Sequence, residues 1–464
     1  MKFRSVSTLF FACITAMGTL GFTTVASADP PHGHATVCAT GCAYTSIQSA
    51  LDAAATGATI TVGPGHYAEN LVISKSVTLM GTGGRDEDRG GGATVLYPAF
   101  SAANPTPCIN NEGSFCGADP SVVSNMILVQ ASNVSISNMV LEGDNPALSG
   151  GVNVGGANID ARNGIIEDWT QNANINNLTV QSVTVRDIFL RGIEAVWASG
   201  PGETFNFSHN IVTNVQGDPN SIAMFNSWGN GVMADNFVSG ANDALSANWS
   251  TGTQFLDNRV TNSQSGIHTD NNGGNGGVAD LIQGNSVSHC VKDGYGIWVF
   301  APYVSPTVKD NKVQGCYVGL GLFGSQVSGQ GPTFSGNEVN GAGATTSDPA
   351  GTYGAYVSTD LLGYGYGNAT ATFTGNQLRN SSTGLFVTQT SPNYNDPVGG
   401  HATVVASGNV IKGNGVGANG DPGTVLTASQ NWWGCPMGPN TPGCDTAIGT
   451  TGFTPWLTIA PESH

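Results

Sequence analysis

The stretch that decides the fold lies between residues 236 and 339. It contains Asn236-Phe237-Val238, Asn258-Arg259-Val260, Asn285-Ser286-Val287, Asn311-Lys312-Val313 and Asn337-Glu338-Val339, at steps of 22, 27, 26 and 26 residues. Outward from it stand Asn210-Ile211-Val212, Asn376-Gln377-Leu378 and Asn409-Val410-Ile411, with the later steps lengthened to 39 and 33 where loops would be inserted. A period of this size is that of a repeat architecture, close to one winding of a β-solenoid.

The residue types say how a winding is made. Asn tolerates left-handed backbone and bonds nearby amides, so it suits a corner between two short strands, and stacked corners would form an Asn ladder. The middle position accepts Phe, Arg, Ser, Lys, Glu, Gln, Val and Ile, as a solvent-facing site does. The third is always aliphatic and branched, as expected of one pointing inward. A second signature, Gly266-Ile267, Gly319-Leu320 and Gly384-Leu385, follows the Asn by eight residues, and Gly296-Ile297 by eleven. Each opens another strand. With 66 Gly in 464 residues and 10% charged side chains, the composition suits tight turns around a narrow apolar core. Disorder is the competing reading of a chain rich in Gly and Asn, but 39% hydrophobic content in strand-length runs opposes it.

Residues 1–28 read as a secretory signal peptide: Lys2 and Arg4, an apolar run from Leu9 to Val25, then Ala26-Ser27-Ala28, with cleavage expected near Ala28. The expected location is therefore secreted or periplasmic. Eight cysteines remain after Cys13 leaves, in sequence-close couples that predict disulfides Cys38–Cys42, Cys108–Cys116, Cys290–Cys316 and Cys435–Cys444. Cys290 and Cys316 each lie five residues after a ladder Asn, so they should sit on adjacent windings, about 4.8 Å apart. No other segment approaches the roughly 20 apolar residues that span a bilayer. Without Lys2 and Arg4 the chain has 12 basic and 31 acidic residues, a formal charge of −19, which disfavours nucleic acid and anionic lipid as partners.

Ile47, Ala50, Leu51 and Ala54 share one face of a helix predicted over Tyr44 to Ala55, which would cap the open end of the core. The expected organisation is an N-terminal cap over 29–58, a solenoid over 59–430 and a C-terminal cap over 431–464. The last holds Asn431-Trp432-Trp433-Gly434-Cys435 and Pro455-Trp456-Leu457, aromatic clusters better suited to cap packing than to ligands.

Ser46-Ile47-Gln48 with Ala50, Gly57 to Val62, Pro64-Gly65-His66-Tyr67-Ala68-Glu69-Asn70 and Ser76-Val77-Thr78-Leu79-Met80-Gly81 resemble the opening of secreted right-handed parallel β-helix repeat proteins. The Asn-Trp-Trp-Gly ending is similar too. The resemblance implies the pectin-lyase-like superfamily and an all-β, single-stranded right-handed parallel β-helix of roughly ten to thirteen coils. That superfamily contains polysaccharide lyases, glycoside hydrolases, uronan epimerases and surface proteins, so fold alone does not choose a function. The chain lacks the Gly-His-Gly and Arg-Ile-Lys of polygalacturonases, the Arg-x-Pro-x-x-Arg of pectate lyases and the Asp-Pro-His-Asp of mannuronan epimerases. Asp218-Pro219-Asn220 comes nearest to the last and has no His.

Aligned on the Gly-aliphatic strand, the windings present Glu194, Ala223, Ser246, His268 and Trp298 on the outer face. Two residues further on come Val196, Phe225, Asn248, Asp270 and Phe300, with Trp197, Trp228 and Trp249 at strand ends. Aromatic faces packing on pyranose rings beside short polar groups suit an extended polysaccharide. Glu194 and His268 are three windings apart, about 14 Å, too far for one dyad. The tighter constellation is His268 as base, Asp270 as its partner and Lys292 as charge stabiliser, with polar groups that merely decorate a turn as the plain alternative. Carbon–oxygen lyase or uronan-modifying chemistry is the favoured enzymatic form, ahead of glycoside hydrolysis. A non-catalytic structural or adhesive solenoid is the rival. No cofactor is required, although calcium held by Asp270 and the Asn271-Asn272 loop would supply a charge. The protein is expected to act as a monomer.

Overall fold

The computed structural model describes residues 33–83, 92–105, 121–168, 170, 175–196, 204–271, 277–325, 327, 329–390, 399–449 and 452–462. The signal-peptide reading, the Cys108–Cys116 couple, Trp197 and Asn272 lie outside these residues.

One coil shows how all are built. Strand Thr253–Leu256 of a first sheet leads through Asp257 to Asn258, then to Arg259–Thr261 of a third sheet and on to Ser265–Asp270 of a second. The next coil repeats it with Leu281–Gln283, Gly284, Asn285, Ser286–Ser288 and Tyr295–Phe300. Among the described residues, stacked coils make three long sheets of 14, 13 and 12 strands, in which neighbours pair in parallel. Ile267 is in register with Ile297, and Val260 with Val287, all four buried.

The Asn ladder is present. Asn210, Asn236, Asn258, Asn285, Asn311, Asn337, Asn376, Asn409 and Asn431 are buried, and each Nδ2 but the last donates to the Oδ1 of the next at 2.8–3.1 Å. Nδ2 also donates to a backbone carbonyl, as Asn258 does to Met233 at 2.8 Å. These bonds make a buried amide affordable in an apolar core. The left-handed corner, however, is not the Asn itself. It is the residue before it: His209, Asp235, Asp257, Gly284, Asp310, Gly336, Gly375, Gly408 or Gln430, with φ between 53° and 72°.

The helix spans Ile47–Ala53, shorter at both ends than its periodicity suggested: Ser46 caps its start, and Ala54 turns to extended backbone at ψ 141° and ends it. Glu69 accepts from the Ile47 and Gln48 amides and from the Ser46 hydroxyl, each at 2.9 Å, so the Pro64–Asn70 motif closes the helix start. Ile47, Ala50 and Leu51 are buried in the main core. Strand His34–Val37 precedes the helix and already pairs with Ala58–Val62. At the far end Trp433 is fully buried and Trp456 packs against the core.

Cys290 and Cys316 are bonded across adjacent coils with Cα atoms 4.7 Å apart, and Cys38–Cys42 and Cys435–Cys444 are also bonded. No helix among the described residues is long and apolar enough to cross a membrane.

Candidate functional site on the second sheet

The outer face of the second sheet is set by its register. Glu194, Phe225, Ser246, His268 and Trp298 form one transverse row, and Val196, Ser227, Asn248 and Asp270 the next. Two expected members change. Phe225 takes the place given to Ala223, and Ser227 the place given to Phe225. Ser221-Ile222 resembles the Gly-aliphatic pair, but the equivalent pair is Ala223-Met224, since Ile193 pairs with Met224. The small residue is required by crowding: a Cβ on Gly192 would lie 2.4 Å from the Ala223 carbonyl oxygen, and one on Gly266 2.3 Å from that of Gly296.

His268 is at the centre. Its imidazole lies flat on the Trp298 indole, whose Nε1 donates to Ser265 Oγ at 2.6 Å. Nδ1 is 3.1 Å from Ser246 Oγ and 3.6 Å from the Asp243 carboxylate, and the Ser246 hydroxyl donates to Asn248 Oδ1 at 3.2 Å. Because Ser246 spends its proton on Asn248, it accepts from Nδ1, which assigns the neutral ring an Nδ1–H and leaves the Nε2 lone pair as the base. Nε2 is shielded from solvent and has no hydrogen-bond partner. The carboxylate that orients the ring is therefore Asp243, which the sequence reading did not identify.

Asp270 faces the other way along its strand. It is partly buried, and its Oδ1 accepts from the Trp249 backbone N–H. Burial pushes its carboxyl up to about 7, against the lowering effect of nearby His268 and of that N–H. The bond holds Trp249 in a left-handed conformation, φ 57°, matched one coil earlier by Trp228 at 72°. For bulky side chains such geometry is an outlier that surrounding structure must enforce. The two indoles stack at 5.1 Å with planes 6° apart, and Tyr303 continues the stack at 6.4 Å from Trp249. Trp249 and Tyr303 are 42% and 46% exposed, an open aromatic platform beside Asp270.

Beneath the platform, Asp280 is buried and accepts from Ser250 Oγ, the Thr253 amide and Asn271 Nδ2 at 2.7–3.0 Å, and from Thr269 Oγ1. Burial raises its carboxyl to about 6 although those donors pull it down. Asn271 is thereby committed inward, bonding the Ser250 and Val278 carbonyls as well. No group of three or more His, Cys, Asp or Glu suited to a metal occurs among the described residues.

The remaining expected residues are dispersed. Glu194 and Ser246 are buried rather than exposed. Arg191 lies over the Phe225 ring at 5.1 Å and is also buried; burial lowers its pKa despite Glu194, Asp243 and Asp218 nearby. Lys292 is exposed at the corner before strand Tyr295–Phe300, away from Asp270 at the far strand end. Trp298 and Phe300 are partly buried and join Tyr295, Tyr317, Phe323, Tyr353, Tyr356 and Phe386 in an aromatic cluster continuing along the same face. The sequence reading missed that cluster and Tyr303.

No family model and no curated protein matches the sequence. Solved structures do. The catalytic domain of a GH87 alpha-1,3-glucanase superposes with a TM-score of 0.56 at 14% identity, over 88% of this chain and 70% of that one. The chain is a right-handed parallel β-helix. An A-module of a mannuronan C-5 epimerase from Azotobacter vinelandii gives a TM-score of 0.45 at 16% identity, over 88% of this β-helix and 94% of the module. A DFA-IIIase from Arthrobacter chlorophenolicus A6 gives 0.37 at 14%, over 86% and 90%. At such identities the likeness is one of fold, and the β-helix's chemistry has to be read from its own site.

Proposed function

We propose that the protein is an exported β-helix that binds an extended polysaccharide on the outer face of its second sheet and exchanges a proton with it through His268. The observation that carries this reading is the Trp228–Trp249–Tyr303 stack, held open by strained backbone beside Asp270. Aromatic platforms of this kind pack on sugar C–H faces, and Asn248 and Asp270 beside them supply hydrogen bonds to hydroxyls. The GH87 alpha-1,3-glucanase, described in complex with tetrasaccharides, lends the reading support at the level of fold.

In this account Asp243 and Ser246 position the imidazole, Nε2, shielded in the free protein, becomes the general base once the Trp298 indole moves off the ring, and Asp270, protonated up to about pH 7, is a carboxylic acid able to donate. Elimination on a uronan is the enzymatic form expected from sequence. It requires Lys292 or a bound cation to reach the substrate carboxylate.

A panel of neutral and uronic polysaccharides tests the reading. Ultraviolet absorbance of unsaturated products marks elimination, and new reducing ends without it mark hydrolysis. His268→Ala should lower turnover by about 10²–10⁴ with binding retained. Unchanged turnover in that variant removes the assignment. Binding without turnover supports a non-catalytic scaffold instead.

A further inference from the structure

We infer that the polysaccharide recognised by this face is uncharged. The inference rests on the polysaccharide reading above and narrows it, against the uronan form.

The recognition surface is aromatic and acidic. Trp228, Trp249 and Tyr303 stack along the strand ends, and Tyr364, 83% exposed, packs edge-on to Phe300 at 6.2 Å. From the strand before Trp228 to the strand ending at Phe300 are three coil steps, about 14 Å. This is a track for several sugar rings rather than a pocket for one. The acidic groups along it are Asp243 and Asp270, with His268 between them covered by the Trp298 indole.

A polyanion would need cations there. Uronate and sulfate groups are bound by Arg forks or Lys ammonium groups, and an acidic surface repels them. The chain has 14 Lys and Arg residues and a formal charge of −17. On the second sheet and its corners around this face, Arg162 and Arg191 are buried. Lys292 stands at the opposite strand end from the platform. Lys309, Lys312, Arg259, Arg379, Lys412 and Arg186 belong to the first and third sheets. The segments 197–203, 272–276 and 391–398, which follow strands of the second sheet, contain no Lys or Arg in sequence. Charge complementarity thus excludes a polyanion, while stacked aromatics suit the C–H faces of neutral hexopyranoses.

The experiment is calorimetric titration of the full chain with soluble neutral glucans and galactomannan, and in parallel with polygalacturonate and alginate, each with and without calcium. The expected result is binding of a neutral glycan that changes little with salt. Trp249→Ala, Tyr303→Ala and Tyr364→Ala, each checked for an unchanged melting temperature, should weaken it, the first two by about tenfold or more. Salt-sensitive binding of a polyuronate in preference to the neutral chains overturns the inference and leaves the polysaccharide reading standing. Neutral-glycan binding unaffected by all three variants overturns the inferred track. Binding of none of the glycans overturns the inference together with the reading beneath it.

Discussion

His268 and Trp298, in register on adjacent coils, stack with ring centroids 3.8 Å apart and planes within 6°. The indole is itself tethered by Ser265, so it covers the imidazole in the free protein. In the free protein His268 should resist acylation by diethylpyrocarbonate, and Trp298→Ala should make it reactive while costing at least about 1 kcal/mol of stability. Peptide mapping by mass checks both forms. Equal reactivity in the two would contradict the shielding.

Buried carboxyls set the pH dependence of stability. Burial raises Glu142 to about 8, Asp270 to about 7 and Asp280 to about 6. A carboxyl whose folded pKa exceeds its unfolded value holds its proton in the fold and loses it more readily on unfolding. Its contribution is complete below the unfolded pKa of about 4 and disappears as pH rises through the folded value. The melting temperature should therefore fall between about pH 5 and pH 8, and Glu142→Gln with Asp270→Asn should flatten the slope. A melting temperature that climbs over that range would contradict the assignment.

The ladder should be sensitive to single deletions. Asn311 Oδ1 accepts from the Asn285 amide and Nδ2, and its own Nδ2 donates to the Ile282 carbonyl and Asn337 Oδ1, all at 2.9–3.0 Å. Asn311→Ala strands these partners in an apolar core and should cost about 3 kcal/mol or more. Lys312→Ala, at the exposed neighbour, should change stability by less than about 0.5 kcal/mol. Denaturant titration of the two variants is the comparison.

The Cys290–Cys316 bridge joins two coils across a separation of 26 residues. Loop-closure entropy gives it at most about 3.5 kcal/mol. Peptide mapping without reductant should recover the linked pair, and the Cys290→Ser and Cys316→Ser double variant should melt at a lower temperature. Free thiols at both positions in the native protein would contradict the pairing.

What could be read in advance follows from how strictly each position is constrained. The Asn, variable, aliphatic triplet was legible because a buried amide ladder and an inward Val admit few substitutes. His268, Asn248, Asp270 and Trp298 were legible because strand alternation holds beyond the aliphatic anchor. It fails ahead of the anchor, where Ala244 and Leu245 are both fully buried. Counting by twos therefore passes over Asp243, which orients His268. The same local crowding made Ala223, not Ser221, the small residue of its coil. Tyr303 follows its strand on a corner with no period to reveal it, and Asp280 stands in a turn whose donors come from two coils. Glu194 shares the register row of His268, but it is buried, by packing that is tertiary.

The most direct test is hydroxyl-radical footprinting of the protein with and without a bound oligosaccharide. The account predicts reduced oxidation at Trp228, Trp249 and Tyr303. Full oxidation of these three, with protection instead at the roughly 720 Å³ cavity between Asp310 and Glu462, would contradict it.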